Sequence, residues 1–128
     1  MLPMTPEETH LQWAEYFNAG DIDSIMTLYE PDARFVVQPG QVLAGADQIR
    51  QGFQQFLALK PRIRLTPQLT LQTSDIALLI ADWVLTGTGP DGCAVELHGR
   101  TVDVIYRQTD GYWLYAVDNP DGDEAVPR

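Results

Sequence analysis

Apolar positions recur at helical spacing along the first sixty residues and switch to alternation from about residue 62 onward. The segment Thr5-Pro6-Glu7-Glu8 predicts a helix start: a threonine cap, a proline where its missing N–H costs nothing, and a glutamate at the third position. Leu11, Trp13, Ala14 and Phe17 supply the apolar stripe, and Gly20 is free to take the left-handed conformation that ends a helix. Asp21 caps a second, short helix with Ile22, Ile25, Met26, Leu28 and Tyr29 turned inward, and Pro31 prevents its continuation. Ala33 to Val37 reads as a strand that Pro39-Gly40 turns toward Val42-Leu43. A third helix, from about Ala46 to Leu59, places Ile49, Phe53, Phe56 and Leu57 on one face.

Ile63, Leu65, Leu69 and Leu71 then set a period of two. The strand from Asp75 to Gly87 is apolar on both parities, with Ile76, Leu78, Ile80 and Val84 on one side and Ala77, Leu79, Ala81, Trp83 and Leu85 on the other. Turns at residues 88–92 and 109–111 return the chain as strands from Ala94 to Gln108 and Tyr112 to Asn119, an antiparallel meander. Helices followed by hairpin-linked strands predict an α+β domain with the helices across one sheet face. Three helices cannot cover both faces. The second apolar face therefore points to a homodimer with sheets packed back to back, unless the strand assignments are shifted.

At 128 residues the chain suits one domain, with a core over about residues 7–119 and a polar tail at 120–128. A net charge of −10, with no basic run, argues against nucleic acid. The N-terminus has neither a basic nor an apolar leader region, and no stretch approaches 18 apolar residues, so the expectation is a cytoplasmic protein without membrane contact. Cys93 is the only cysteine, which excludes an intrachain disulfide, and His10 and His98 lack metal-ligand spacing. No metal or cofactor is implied, since a glycine-rich phosphate loop is also missing.

The segments Asn18-Ala19-Gly20-Asp21-x-Asp23, Leu28-Tyr29-x-x-Asp32-Ala33, Gly45-x-x-x-Ile49 and Asp110-Gly111-x-Trp113 together resemble the superfamily of nuclear transport factor two, ketosteroid isomerase and the SnoaL-like polyketide cyclases. The resemblance spans roughly Glu7 to Asp118. It implies a cone-shaped α+β fold, three N-terminal helices packed on a strongly curved, mainly antiparallel sheet, enclosing an apolar pocket. In the isomerases, that pocket holds a carboxylate base and two donors to a developing oxyanion.

Carried over position by position, the resemblance puts Trp13 where the isomerase has its tyrosine donor, Gln38 where it has its base, and Asp103 where it has its acidic donor. Gln38 cannot take a proton at neutral pH, so steroid isomerisation itself is not expected. If Asp103 faces the pocket with Thr101 and Ile105, burial raises its pKa and makes it an acid or a tuned base; facing outward it is a surface or interface carboxylate. Asp82 either joins it as a second carboxylate or pairs with Arg100 or Arg107. His98 lies on the opposite parity from Asp103 and reads as structural or interfacial. Trp13, Phe17, Tyr29, Phe35 and Phe53 are candidate pocket walls, and Asp118 a polar group at the rim. The expected function is a small-molecule isomerase, cyclase or hydratase acting on an apolar ring-bearing substrate through Asp103, or a non-catalytic binding or dimerisation module of the same fold.

Overall fold

A computed structural model describes residues 2–126. Helices α1 (Pro6–Ala19), α2 (Ile22–Met26) and α3 (Ala46–Leu57) accompany six strands: β1 (Tyr29–Gln38), β2 (Gln41–Ala44), β3 (Arg62–Gln72), β4 (Ile76–Thr88), β5 (Ala94–Arg107) and β6 (Trp113–Asn119). The strands form one open sheet in the order β2-β1-β6-β5-β4-β3. Neighbours are antiparallel except β1 and β6, which run parallel. The fold is the α+β architecture expected from helices first and strands after.

The first helix starts as its sequence predicts. Thr5 Oγ1 accepts from the Glu8 N–H at 3.3 Å, while the Glu8 carboxylate reaches back to the Met4 N–H at 2.9 Å. Gly20 ends it at φ 68°, where a side chain would be strained. The motif at residues 18–21 then has a physical reading. Asn18 exchanges two hydrogen bonds with the backbone of Ile63, clamping α1 to β3, and Asp21 caps α2 through the Ser24 N–H.

Two expectations need correction. The buried face of α1 is Pro6, Thr9, His10, Trp13 and Phe17, whereas Leu11 is 62% exposed. Tyr29 opens β1 rather than closing α2, because its chain segment pairs with β6: the Tyr115 N–H donates to the Leu28 carbonyl at 2.7 Å. Pro31 is accommodated where the β1–β6 register shifts, between Tyr29 and Arg34, so its missing N–H breaks no ladder.

The core gathers Trp13, Phe17, Ile25, Leu28, Tyr29, Ile49, Phe53 and Trp113 between the helices and the concave sheet face, with Ala77, Leu79 and Ile105 from the central strands. The opposite face carries half-buried Leu78, Ile80, Val102 and Val104, with Leu69, Leu71, Ile76 and Tyr106 exposed at its margin. After β6 the chain turns along the sheet: Asn119 Nδ2 donates to the Gly122 carbonyl, and buried Gly122 sits so close to the Arg100 carbonyl that a Cβ would clash at 2.9 Å. Within the expected polar tail, buried Gly122 is thus held against the sheet, while Asp123, Glu124 and Val126 are exposed; its last two residues lie outside the described ones. Among the described residues no helix is long and apolar enough to cross a membrane.

Candidate functional site

A cavity of about 330 Å³ opens between the helices and the sheet. Alternation along β5 turns Leu97, Gly99, Thr101, Asp103 and Ile105 toward the helices, each paired in register with Leu85, Trp83, Ala81, Leu79 and Ala77 of β4. Asp103 is 1% exposed on the cavity wall. Its neighbour across the β5–β6 ladder is Asp118, 6% exposed on the same wall. Two carboxyl groups thus share one wall of a mainly apolar pocket.

The groups around them define the proton inventory. Asp103 Oδ1 accepts from Thr101 Oγ1 at 2.7 Å and from the Asn119 N–H at 2.9 Å. Asp118 Oδ2 accepts from the Tyr29 hydroxyl at 2.5 Å, and Tyr29 in turn accepts from the Trp13 indole N–H at 2.9 Å. The two carboxyls stand opposite each other across the β5–β6 ladder, and side-by-side burial of two such groups disfavours ionising both. Burial pushes the Asp103 pKa well up, and the negative charge of Asp118 pushes it further. Burial also raises Asp118, but the Tyr29 hydroxyl that donates to it opposes that rise. Asp103 is therefore the proton holder and Asp118 the carboxylate, two groups whose pKa values their environments separate.

His10 completes this end of the pocket. Its Nδ1 lies 2.6 Å from the Tyr115 hydroxyl, and its Nε2 lies 3.2 Å from Asp103 Oδ2 without hydrogen-bond alignment. Burial drives its pKa down to about 4, so the ring is neutral at neutral pH. A fully ionised Asp103 at that distance would hold the imidazolium; a protonated one does not. Nδ1 and the Tyr115 hydroxyl share one hydrogen, and Nε2 is buried beside the Asp103 carboxyl. Burial raises Tyr29 and Tyr115 well above the usual phenol range, so both stay protonated donors.

The expected site residues divide by position. Trp13, Phe17, Phe35, Phe53, Thr101, Asp103 and Asp118 line the cavity. Tyr29 lies one layer behind, bridging Trp13 and Asp118. Ile105 is fully buried below the carboxyls and not on the wall. Gln38 falls outside: the β1–β2 register shifts between Val36 and Gln38, and its exposed amide donates to Gln41 in the hairpin. Asp82 also falls outside, since register pairs it with Arg100 on the far face, where the guanidinium takes both carboxylate oxygens at 2.7 and 3.1 Å and lowers its pKa. His98 is exposed on that face too. His10 and Tyr115 were not singled out by sequence, although His10 stands three residues before Trp13 on one helical face. Among the described residues no group of three His, Cys, Asp or Glu side chains is arranged for a metal ion.

An open, six-stranded sheet under three helices, with an apolar cavity ending in polar groups, defines a small pocket protein of the nuclear transport factor two-like class. Residues 11–116 match the SnoaL-like domain, and the chain belongs to that family. Among solved structures it is similar to a ketosteroid isomerase-like protein from Erwinia carotovora atroseptica (TM-score 0.77, 19% identity, 88% of each chain covered). A nuclear transport factor 2-like superfamily protein from Salmonella enterica serovar Typhimurium also aligns, at TM-score 0.78 and 18% identity, covering 88% of this chain and 84% of that one. A conserved protein from Planctomyces limnophilus aligns at TM-score 0.80 and 18% identity, with 88% of each chain covered. These likenesses establish the fold alone. No curated protein matches the chain.

Proposed function

We propose that the pocket performs cofactor-independent acid–base chemistry, an isomerisation, cyclisation or hydration, on an apolar ring-bearing molecule. The observation that carries this reading is the pair of carboxyls Asp103 and Asp118, facing each other across the β5–β6 ladder and both buried on the cavity wall. In an isomerisation, Asp118 takes a proton from the carbon beside a carbonyl, and the freed electron pair moves onto the oxygen. Asp103 donates its hydrogen bond to that developing oxyanion, and Asp118 returns the proton at another carbon. Trp13 acts through Tyr29, holding the phenol on Asp118. With Gln38 outside the pocket, the base is supplied by β6, a different strand from the isomerase arrangement implied by resemblance.

The test is proton exchange beside the carbonyl of 2-tetralone in deuterated water, followed by NMR. Catalysed exchange that falls at least about 100-fold in both Asp118→Asn and Asp103→Asn supports the reading. Exchange that is equal in wild type and both variants overturns it. Saturable binding of 2-tetralone without exchange supports the non-catalytic binding module instead. The half-buried apolar sheet face supports pairing of two chains through that face, which light scattering of the purified protein tests directly.

A further inference from the structure

We infer that Asp121 is a specificity-determining residue that reads a protonated amine on the ligand, so that the pocket takes ring-bearing molecules carrying a basic nitrogen. This rests on the cavity being a ligand site, as proposed above, and not on catalysis. Asp121 stands before the 3-10 turn Gly122–Ala125, at the position where an aspartate ordinarily accepts from a backbone N–H two or three residues on. Its side chain makes no such bond. It lines the cavity instead, and Oδ2 is buried without a hydrogen-bond partner. The turn is closed by the backbone alone, the Glu124 N–H donating to the Asp121 carbonyl at 3.0 Å. The carboxyl group therefore adds nothing to the turn and is turned to the pocket.

The wall supplies Asp121 with no donor. Side-chain N–H and O–H groups on the lining are engaged elsewhere: Trp13 Nε1 on Tyr29, Trp83 Nε1 on the Pro120 carbonyl, Thr101 Oγ1 on Asp103, and the Tyr115 hydroxyl with His10. No Lys or Arg lines the cavity among the described residues. A second lining atom buried without a partner is His10 Nε2, beside Asp103, in a residue 4% exposed. Buried polar groups ordinarily find partners, so these two atoms mark two stations for an occupant to complete. They are set apart along the fold. The Trp83 indole crosses Gly99 to reach the Pro120 carbonyl, and Gly122 abuts the Arg100 carbonyl, which puts Asp121 near the Gly99 and Arg100 rungs of β5, away from the Asp103 rung. A neutral donor fills a lone pair of Asp121. A protonated amine does more: burial, and after it the charge of Glu124, raise the Asp121 pKa, and a cation offsets both. Its charge-assisted bond is also the stronger one. The aromatic lining of Trp13, Trp83 and Phe56 suits a cation on a ring system, and the net charge of −10 draws cations to the protein.

The probes share one skeleton and differ in charge: 2-aminotetralin, 2-tetralol and 1,2,3,4-tetrahydro-2-naphthoic acid. Each is titrated near neutral pH by tryptophan fluorescence, in about 0.5 M salt to screen the protein surface. Wild type is expected to bind 2-aminotetralin at least about tenfold tighter than 2-tetralol, a difference of ~1.4 kcal/mol, and the acid more weakly than either. Asp121→Asn and Asp121→Ala should both erase the preference for the amine while leaving 2-tetralol within about twofold. Their urea midpoints should match wild type, because the side chain makes no hydrogen bond in the fold. Asp123→Asn removes an equal charge from an exposed neighbour and should keep the preference. Equal affinity for amine and alcohol in wild type, a preference that survives both Asp121 variants, or one lost equally in Asp123→Asn overturns the assignment. A preference that survives at Asp121 but falls in Asp118→Asn likewise overturns it, by placing the amine at the carboxyl pair. Failure of wild type to bind any of the three overturns the pocket reading as well, whereas amine selectivity without proton exchange of 2-tetralone overturns only the catalytic reading.

Discussion

Replacing His10 by glutamine should change how stability depends on pH. The ring is 4% exposed, and its pKa falls from 6.5 to about 4 on folding because burial penalises the charged form. The folded chain thus binds fewer protons than the unfolded chain between those values. Stability from this group is full above the unfolded value and is lost as pH falls toward the folded one. At about 1.36 kcal/mol per pH unit, the loss amounts to roughly 3 kcal/mol, with little screening at so buried a site. Asp103 and Asp118 act in the opposite sense. Their folded pKa values are raised, so their contribution is full below the unfolded carboxyl range and is lost as pH rises through the folded values. The wild-type profile is the sum of these opposed slopes. His10→Gln retains a polar group for Tyr115 but removes the imidazole, leaving the carboxyl slope alone. Urea unfolding from about pH 3.5 to about pH 7.5, followed by tryptophan fluorescence, measures both proteins. The wild type should gain about 3 kcal/mol relative to the variant across this window. A difference between the two proteins that stays constant with pH would refute the neutral, buried imidazole.

Tyr29→Phe removes one hydroxyl but strands two partners, the Trp13 indole N–H and Asp118 Oδ2. It should destabilise the fold by about 2–4 kcal/mol, beyond the value of one hydrogen bond, as measured by the urea midpoint. Asp82→Asn should leave the midpoint and ligand binding unchanged, because its ion pair with Arg100 is exposed and on the far face of the sheet. A loss of binding in that variant would contradict the register that turns Asp82 away from the cavity.

The helices were legible because their boundaries are written in local chemistry: Thr5, Asp21 and the Gly20 cap act on residues three or four positions away. The inward set Thr101, Asp103 and Ile105 was legible because one parity assignment orders a whole strand. Asp82 had two readings, and the pair with Arg100 won because the register of the long β4–β5 hairpin, which no local residue announces, puts both on the far face. Gln38 misled because a register shift after Val36 turns it into the hairpin end, a deviation with no residue signature. His10 was hidden by chemistry of another kind. A polar side chain on an amphipathic helix reads as surface, and exposed Leu11 beside it drew the apolar stripe the wrong way. Only the arrival of Tyr115 and Asp103 from distant strands makes a buried histidine affordable.

The parallel pairing of β1 with β6 also orders events in time. Strands β3 through β6 can zip together as successive hairpins, each closing a short loop. Strand β1 must wait, because the neighbour it needs, β6, is the last strand made. During synthesis β1 therefore stands by without β6, with the edge that will meet it unpaired and open to wrong partners. The groups that create the pocket's acidity are divided by the same delay: His10 and Tyr29 emerge early, Asp103, Tyr115 and Asp118 late. Chemical capability appears only at the final closure, so loss of even the last strand leaves a chain with neither a finished sheet nor the Asp118 base.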